Sequence, residues 1–468
     1  MLPSSLIMSV DRSDPRTLPV QIADRIRAAI SDGQVAPDVR LPSSRALSAE
    51  TGVARAVVES AYDQLTAEGW LHARRGSGTF VRRLPTDGQA TNPTGSRRST
   101  TAVTPSVQGR RIRLATGTPW VPQMSAAWKR AWRDVGNAQP PQAYPDPRGD
   151  TYLRSAVAEL LGRARGLHTD ADSVVITTGS MHGMSLSLAV LREDGVTSPP
   201  VLAHENPGYH VATSTARRWG WSIHDVAVDA DGLVTPELDR APSRTRAVYV
   251  TPSHQYPTGG LLTVGRRREL ADFARTRDIM IVEDDYDSEF RYDVAPLPTV
   301  AEFAPDRTIY LGTVAKTLGG GIRIGWLVAP PDIVEQIAEL RIDLGDYPSL
   351  PVQHAMTSLL RDGEWDRTVR AARRLYRERD RRVAAALDRF GELRGVGAGM
   401  HTTLLLDPGV AASVALEAAA AGVDVETLAR STRSASPVAG LIVGYGSVSD
   451  DELSYALDVL VDALTRVI

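Results

Sequence analysis

Apolar positions in the first eighty residues recur at helical spacing and then give way to alternation. Val20, Ile22, Ile26 and Ile30 mark one face of a first helix, which ends at Gly33. Pro42, Ser43 and Ser44 open a short second helix that stops at Gly52. A third begins near Val53, carries Val57, Val58, Ala61, Tyr62 and Leu65 on one face, and ends at Gly69. Trp70-Leu71-His72 and Thr79-Phe80-Val81 then read as two strands turned through Arg75-Gly76-Ser77-Gly78. Residues 84–110 have no apolar period and are rich in Pro, Thr, Ser and Gly, which predicts a flexible linker. Beyond Arg111, β-branched runs such as Val174–Thr177, Ala247–Thr251, Ile279–Val282, Ile309–Leu311 and Ile324–Val328 alternate with long amphipathic stretches. Strands buried on both faces read as such runs, so the pattern predicts an α/β unit with a mostly parallel central sheet under helices. The expected organisation is a helical unit closed by a hairpin over residues 1–83, a linker over 84–110, and the α/β unit over 111–468.

Composition adds exclusions. At 468 residues the chain exceeds one compact core, and 42% hydrophobic with 23% charged residues is ordinary for a soluble globular protein. A net charge of −3 is silent about nucleic acid, because a small basic face can hide in the average. With no cysteine there is no disulfide, thiolate metal site or cysteine nucleophile, and no metal is expected. The first residues lack the order of a signal peptide and no run approaches the ~18 apolar residues of a membrane helix, so a cytoplasmic protein is expected. Among 53 basic side chains only Lys129 and Lys316 are lysines, so amine chemistry has two candidates.

A short helix, a tight turn and a third helix suit insertion of the third into a DNA major groove. The hairpin places Arg74 and Arg75 at its tip and Arg82 and Arg83 at its base, where they can meet phosphates or enter the minor groove. Periodicity alone equally admits a helical interaction module with a solvated, charged hairpin. The stretch LPSSRALSAETGVARAVVESAYDQLTAEGWLHARRGSGTFV, however, resembles the GntR-type winged helix-turn-helix domain nearly end to end. Its landmarks fall in order: Leu41-Pro42-Ser43-Ser44-Arg45, Gly52-Val53, Arg55, Ala61-Tyr62, Leu65, Glu68-Gly69 and Gly76-Ser77-Gly78-Thr79-Phe80-Val81. The resemblance implies double-stranded DNA as a partner. Its contacts would come from Ser44 and Arg45, from Arg55 in the recognition helix, and from Arg74, Arg75 and Gly76 in the wing. Ala54 and Ala56 flank Arg55 where the family often has Ser or Thr, so base readout rests on Arg55 and on methyl contacts.

In the α/β unit, Asp284 and Tyr286 follow the run Ile279–Val282, and Lys316 follows Ile309–Leu311. Open α/β sheets bind ligands at these carboxyl ends. A carboxylate and an amine at neighbouring strand ends can grip a pyridine aldehyde from both sides, the lysine forming an imine and the carboxylate keeping the ring nitrogen protonated. Lys129, in Ala126-Ala127-Trp128-Lys129-Arg130, reads as a surface-helix lysine, which leaves Lys316 as the candidate anchor. Thr177-Thr178-Gly179-Ser180-Met181-His182-Gly183 follows a strand and opens a helix, a pattern whose free amides bind anions. Arg323 follows Gly319-Gly320-Gly321 near enough to Lys316 to reach the same phosphate.

AYPDPRGDTYLRSAVAELLGRARG, ITTGSMHG, ENPGYH, TPSHQYPTGG, VEDDYDSEF and GTVAKTLGGGIRIGWLV occur in the order of fold-type I pyridoxal-phosphate enzymes, over roughly 330 residues. Joined to a GntR-type domain, they make the chain resemble the MocR family, which includes the GabR regulators. The resemblance implies pyridoxal 5'-phosphate as cofactor, with Lys316 its Schiff-base lysine, Asp284 on the pyridinium nitrogen, Tyr286 facing the ring hydroxyl and Tyr209 stacked on the ring. It puts Gly179, Ser180, Met181, Thr313 and Arg323 on the phosphate, and sends Tyr144 into the neighbouring subunit's site, hence a homodimer with shared sites. Several departures bear on function. Tyr256 stands where Asn usually precedes Pro-Thr-Gly, and is counted with the cofactor contacts. Met181-His182 replaces a common Gln pair, Val211 stands where GabR-like proteins have an effector-binding arginine, and Gly440–Gly444 lacks the usual carboxylate-binding arginine. Arg430 or Arg433 can substitute as the effector-carboxylate contact, or be a solvated loop charge. The expected function is a DNA-binding transcription regulator that senses pyridoxal phosphate or an amine or amino-acid effector through Lys316. The alternative is an active aminotransferase with a DNA-binding appendage.

Overall fold

The computed structural model describes residues 10–11, 14, 16–68, 70–74, 78–82, 111–120, 125–192, 198–292, 298–436 and 438–468. The wing residues Arg75, Gly76 and Ser77, the base arginine Arg83 and the stretch read as a linker lie outside them. The chain forms two compact units, Met1–Ser106 and Val107–Ile468. Among the described residues no helix is long and apolar enough to cross a membrane.

The first unit packs α1 (Leu18–Ser31), α2 (Ser44–Thr51) and α3 (Arg55–Ala67) around Ile22, Ile26, Leu47, Val58 and Leu65, closed by the antiparallel β1 (Leu71–Arg74) and β2 (Gly78–Val81). Full burial of side chains such as Ile22, Val58 and Leu65 is worth about 1.5–3 kcal/mol each. The Ser43 hydroxyl caps α2 by accepting from the Ala46 amide at 3.2 Å, and Gly52 ends it with φ +67°. Helix α3 begins at Arg55, two residues later than its apolar pattern suggests, because Ala54 is the extended N-cap residue and Val53 serves the core from the turn. The Tyr62 hydroxyl donates to the Pro42 carbonyl at 2.9 Å, which pins α3 to the start of α2 and fixes the angle of the helix-turn-helix.

In the second unit a short β3 (Ile112–Arg113) pairs in parallel with β14 (Val423–Asp424). The main sheet has β4 (Val174–Thr177), β5 (Val201–Asn206), β6 (Ser222–Asp229), β7 (Gly232–Leu233), β8 (Thr245–Val250), β9 (Met280–Asp284), β10 (Thr308–Thr313) and β11 (Gly325–Val328). Their spatial order is β4-β11-β10-β9-β8-β5-β6-β7, with the run from β10 through β6 parallel and β11 antiparallel between β10 and β4. Both faces are covered. Val174, Ile176, Tyr310 and Trp326 pack with Leu153, Val157 and Leu359 on one side, while Val175, Ile309, Leu311 and Leu327 pack with Met184, Leu188 and Ile337 on the other. Alternate residues of the same apolar run thus serve opposite layers. A smaller sheet of β12 (Leu393–Arg394), β13 (His401–Leu405), β15 (Glu426–Thr427) and β16 (Gly440–Gly444) packs on helices Glu364–Leu387, Pro408–Ala420 and Asp450–Val467.

Candidate cofactor pocket and DNA-binding surface

The carboxyl ends of the parallel strands converge on one cavity of about 290 Å³. Each strand delivers one functional side chain or the loop that holds it. β4 runs into the Gly179 turn, β5 leads to Tyr209, β8 supplies Tyr249 and leads to Thr251, β9 ends on Asp284, and β10 leads to Lys316. Seven of the residues expected from sequence line this cavity: Ser180, Tyr209, Tyr256, Asp284, Tyr286, Lys316 and Arg430.

Asp284 is buried, and burial raises its carboxyl from the ordinary 3.8 to about 6, although a hydrogen bond from Tyr249 and the charge of Lys316 pull the other way. The Tyr249 hydroxyl donates to Oδ2 at 2.6 Å, while Oδ1 is buried without a hydrogen-bond partner. An unpaired buried carboxylate oxygen is costly, and a ring N–H⁺ is the kind of donor that would satisfy it. Tyr249 is itself held by His204, whose ring stacks on it at 4.9 Å and 2°.

The Lys316 amine donates to the Gly117 carbonyl at 2.6 Å. Burial lowers its pKa, opposed by Asp287 and Asp284, so the amine is closer to the neutral, nucleophilic form than an exposed lysine. Gly117 has φ +74°, a conformation that favours glycine, and a side-chain carbon there would come within 2.7 Å of the amine and displace the lysine end. Lys129, by contrast, is exposed on the helix Ala126–Asn137.

Gly179, at φ +115°, precedes the helix Ser180–Val190, whose first turn has no side-chain cap. The Arg323 guanidinium lies about 3.5 Å from where a Gly179 side-chain carbon would sit, and no ion pair occupies it among the described residues. A helix start without a side-chain cap beside an unpaired guanidinium offers the donors an anion needs. Thr313 is less available than its sequence position suggests, since its hydroxyl accepts from the Ala315 amide at 3.1 Å and lies 3.5 Å from the Ile324 carbonyl. The Met181 side chain packs into the apolar layer beneath, leaving only its backbone for an anion.

The aromatic wall is built from Tyr209, Tyr256, Tyr286 and His401. Tyr256 meets both Tyr209 and Tyr286 edge to face, at 5.4 and 6.2 Å, and its hydroxyl is 2.9 Å from that of Thr116. Buried Glu205, pushed up to about 7 by desolvation, accepts from the Thr251 hydroxyl at 2.7 Å, and the Thr251 oxygen accepts from the Tyr256 amide at 3.0 Å. That relay fixes the loop after β8.

At the mouth stand His210, Val211, Glu426 and Arg430. Arg430 reaches Glu426 at 3.8 Å and remains largely exposed. Arg433 does not replace it: its guanidinium is bound to Asp225 at 2.7 Å and to the Glu205 carbonyl at 2.7 Å, so it anchors the loop to the sheet. No residue of Gly440–Gly444 lines the cavity, so the missing arginine in that strand leaves no gap in this wall. Tyr144 is 87% exposed, its ring beside Tyr347 at 5.7 Å, and it does not line the cavity of its own chain.

Sequence reasoning missed Thr116, Gly117, His210, Tyr249, Thr251, His401 and Glu426 as cavity residues. The polar Tyr249 inside an otherwise apolar strand run, Ala247–Val250, was the one signal available for that group.

On the first unit, Arg45 and Arg55 are exposed and Ser44 is half-buried. Glu59 ties Arg55 to Ser44, its Oε1 accepting from Arg55 Nε at 2.8 Å and from the Ser44 hydroxyl at 3.2 Å. A surface pair of this kind is worth little and releases its arginine readily. The Arg74 backbone continues β1, paired with Gly78.

Comparison with known proteins matches residues 18–81 to the family "Bacterial regulatory proteins, gntR family" and residues 110–421 to "Aminotransferase class I and II". The chain is 34% identical to the HTH-type pyridoxine biosynthesis transcriptional regulator PdxR of Corynebacterium glutamicum, covering 99% of both chains. It is 30% identical to the probable rhizopine catabolism regulatory protein MocR of Rhizobium meliloti, covering 94% of this chain and 92% of that one. Among solved structures, it is similar to the α-aminoadipate aminotransferase LysN of Thermus thermophilus, complexed with N-(5'-phosphopyridoxyl)-L-leucine (TM-score 0.68, 24% identity, 76% of this chain and 92% of that one). Helix-turn-helix unit, mostly parallel sheet and full-length likeness agree: the chain belongs to the HTH-type transcriptional regulators of the MocR and PdxR kind, in which a GntR-family DNA-binding domain is joined to an aminotransferase class I and II domain.

Proposed function

We propose that this protein is a cytoplasmic, homodimeric regulator that holds pyridoxal 5'-phosphate in the cavity described above and changes its grip on operator DNA when the ligand state of that cavity changes. One observation carries the reading: an amine with a lowered pKa and a buried carboxylate with an unpaired Oδ1 line the same cavity, beside an uncapped helix start and a free guanidinium. When bound, the cofactor supplies an aldehyde for imine formation and a pyridine ring that draws electrons. Lys316 would hold the aldehyde carbon, Asp284 the ring nitrogen, Tyr209 the ring face, and Gly179, Ser180 and Arg323 the phosphate. Tyr249 keeps Asp284 oriented, and Gly117 holds the Lys316 amine within the cavity. The domain limits we assign are 1–83, 84–110 and 111–468, with Tyr144 completing the partner's site.

The mouth favours sensing over turnover. Val211 offers no charge, and among the described lining residues Arg430, exposed and only loosely paired with Glu426 at 3.8 Å, is the one arginine, so a substrate carboxylate would meet a single mobile contact and no buried clamp. The effector is then the cofactor itself or an amine with at most a weakly held carboxylate.

Two tests address the halves separately. Arg55→Ala should weaken specific operator binding about 5- to 150-fold, on the order of 1–3 kcal/mol, and relax base preference at one position in a gel-shift series. Equal loss on all sequences would instead make Arg55 a phosphate contact. The coupling is tested by titrating pyridoxal phosphate onto cofactor-free protein with and without operator DNA. Linkage requires that DNA alter cofactor affinity by the factor by which cofactor alters DNA affinity. Identical affinities in both titrations would remove the sensor and move the aminotransferase reading ahead.

A further inference from the structure

Thr178 lies between strand β4 and Gly179, at the start of the turn assigned above to the phosphate. Its amide, which can only donate, is 3.1 Å from His182 Nδ1, and its hydroxyl is 3.0 Å from the same nitrogen. Nδ1 therefore carries a lone pair, and the ring proton sits on Nε2, 2.8 Å from Asp346 Oδ2. Burial lowers the His182 pKa, with Asp346 opposing and Arg341 and Arg323 reinforcing, which favours the neutral ring that this arrangement needs.

Asp346 is anchored in its turn. It follows Gly345, which ends the helix Pro331–Leu344 at φ +61°. Its amide donates to the Arg341 carbonyl at 3.0 Å, its own carbonyl accepts from Arg341 Nε at 2.9 Å, and its Oδ2 lies 3.4 Å from that Nε. Arg341 is fully buried, and its Nη1 donates to the Ile176 carbonyl of β4 at 2.8 Å. The contacts close a circuit: β4 leads into Thr178, Thr178 meets His182, His182 meets Asp346, and Asp346 returns through Arg341 to β4. On the other flank the Thr177 hydroxyl donates to the Gly179 carbonyl at 2.9 Å. Gly179, at φ +115°, has the most backbone freedom to lose, and a turn ordered beforehand spares an arriving ligand that cost.

We infer that His182 and Asp346 are positioning residues that hold the Gly179 turn ready for a phosphate group, and so set the preference of the cavity for a phosphorylated ligand over the same ligand without its phosphate. This rests on the cofactor reading above. Neither side chain lines the cavity, so both act through the Thr178 backbone. Pyridoxal, which has the aldehyde and the ring but no phosphate, is the natural control, because its imine with Lys316 needs no ordered turn.

The experiment titrates full-length, cofactor-free protein with pyridoxal 5'-phosphate and separately with pyridoxal, following the visible imine band. His182→Ala should weaken pyridoxal phosphate binding about tenfold, the effect of losing one hydrogen bond, and change pyridoxal binding less than about twofold. His182→Gln, which has both an acceptor oxygen and a donor amide, should restore the preference. Asp346→Ala should reproduce the loss, and adding it to His182→Ala should cost less than about a further twofold, because both act through one contact. Equal losses for the two ligands would make His182 a purely structural residue and overturn the inference, as would full additivity or no recovery in His182→Gln. Should His182→Ala fail to fold, Asp346→Ala, at a partly exposed side chain, carries the same two-ligand comparison. An unaltered protein that forms no imine band with either ligand would instead sink the cofactor reading.

Discussion

Lys316→Ala protein should show no visible band when mixed with pyridoxal phosphate, while Lys129→Ala protein should remain as yellow as the unaltered chain. Imine formation needs an amine that is unprotonated and close to the aldehyde. Lys316 meets both needs, since burial lowers its pKa and Gly117 holds its amine within the cavity. Lys129 is an exposed helix residue and meets neither. With only these two lysines, no third side chain can take over the chemistry. The loss should be complete rather than partial. Dialysis should then strip the cofactor from Lys316→Ala, because the phosphate, stacking and ring-nitrogen contacts proposed above would all be non-covalent. A retained band in Lys316→Ala, or a lost one in Lys129→Ala, would show that the anchor is elsewhere.

Asp284→Asn should push cofactor binding and apo-protein stability in opposite directions. With the cofactor held as proposed, replacing the carboxylate would remove a charge-assisted hydrogen bond to the ring nitrogen, so the Kd should rise roughly 10- to 150-fold, on the order of 1.5–3 kcal/mol. In the absence of cofactor the same carboxylate is a burden. Its pKa is raised from the ordinary 3.8 to about 6, so the folded chain binds that proton more tightly than the unfolded chain does. Stability therefore falls as pH climbs from the lower value through the higher one, and stays reduced above it, by about 3 kcal/mol in total. Asparagine carries no such penalty. Cofactor-free Asp284→Asn should melt higher than the unaltered protein above about pH 6, and the advantage should vanish below about pH 4, where both side chains are neutral. Glu283, raised to about 7 by burial, adds the same slope to both proteins and cancels in the difference, whereas Glu205, raised to about 7 by burial and in part by the Asp284 charge, is relieved by the substitution and adds to the advantage at higher pH. A melting-temperature difference that does not depend on pH would show that Asp284 is not the group at fault. Function here is kept at the expense of stability, as is common at binding sites.

Much of this site was legible before any coordinates. Asp284 and Lys316 stand out in sequence because each follows an apolar run, and strand ends are where open α/β sheets place ligands. The Gly179 turn is legible for the same reason. The unit that contains α1 to α3 is legible because its contacts are local: helix spacing, the Ser43 cap and the Gly52 stop all act within a few residues. The start of α3 was placed two residues early, since an apolar period cannot tell a buried turn residue such as Val53 from the first residue of a helix.

What only the tertiary structure decided has a different physical origin. Lys316 and Gly117 are 199 residues apart, and Asp284 and Tyr249 are 35 apart on adjacent strands; nothing in either segment announces its partner. The antiparallel direction of β11 is equally silent, because the run Gly325–Val328 is buried on both faces and reads alike in either direction. The fates of Arg430 and Arg433 show the limit most sharply. Three residues apart in one loop, they look equivalent as a sequence, yet one lines the cavity mouth and the other is bound to Asp225 and the Glu205 carbonyl. The sequence by itself determined which chemistries were possible: two lysines, no thiols, a carboxylate and an amine at strand ends, a basic hairpin. Only the packed chain decided which groups are desolvated together. Burial and unmet hydrogen bonds depend on the whole neighbourhood of an atom, and those effects are what shift Asp284 and Lys316 from their ordinary proton affinities.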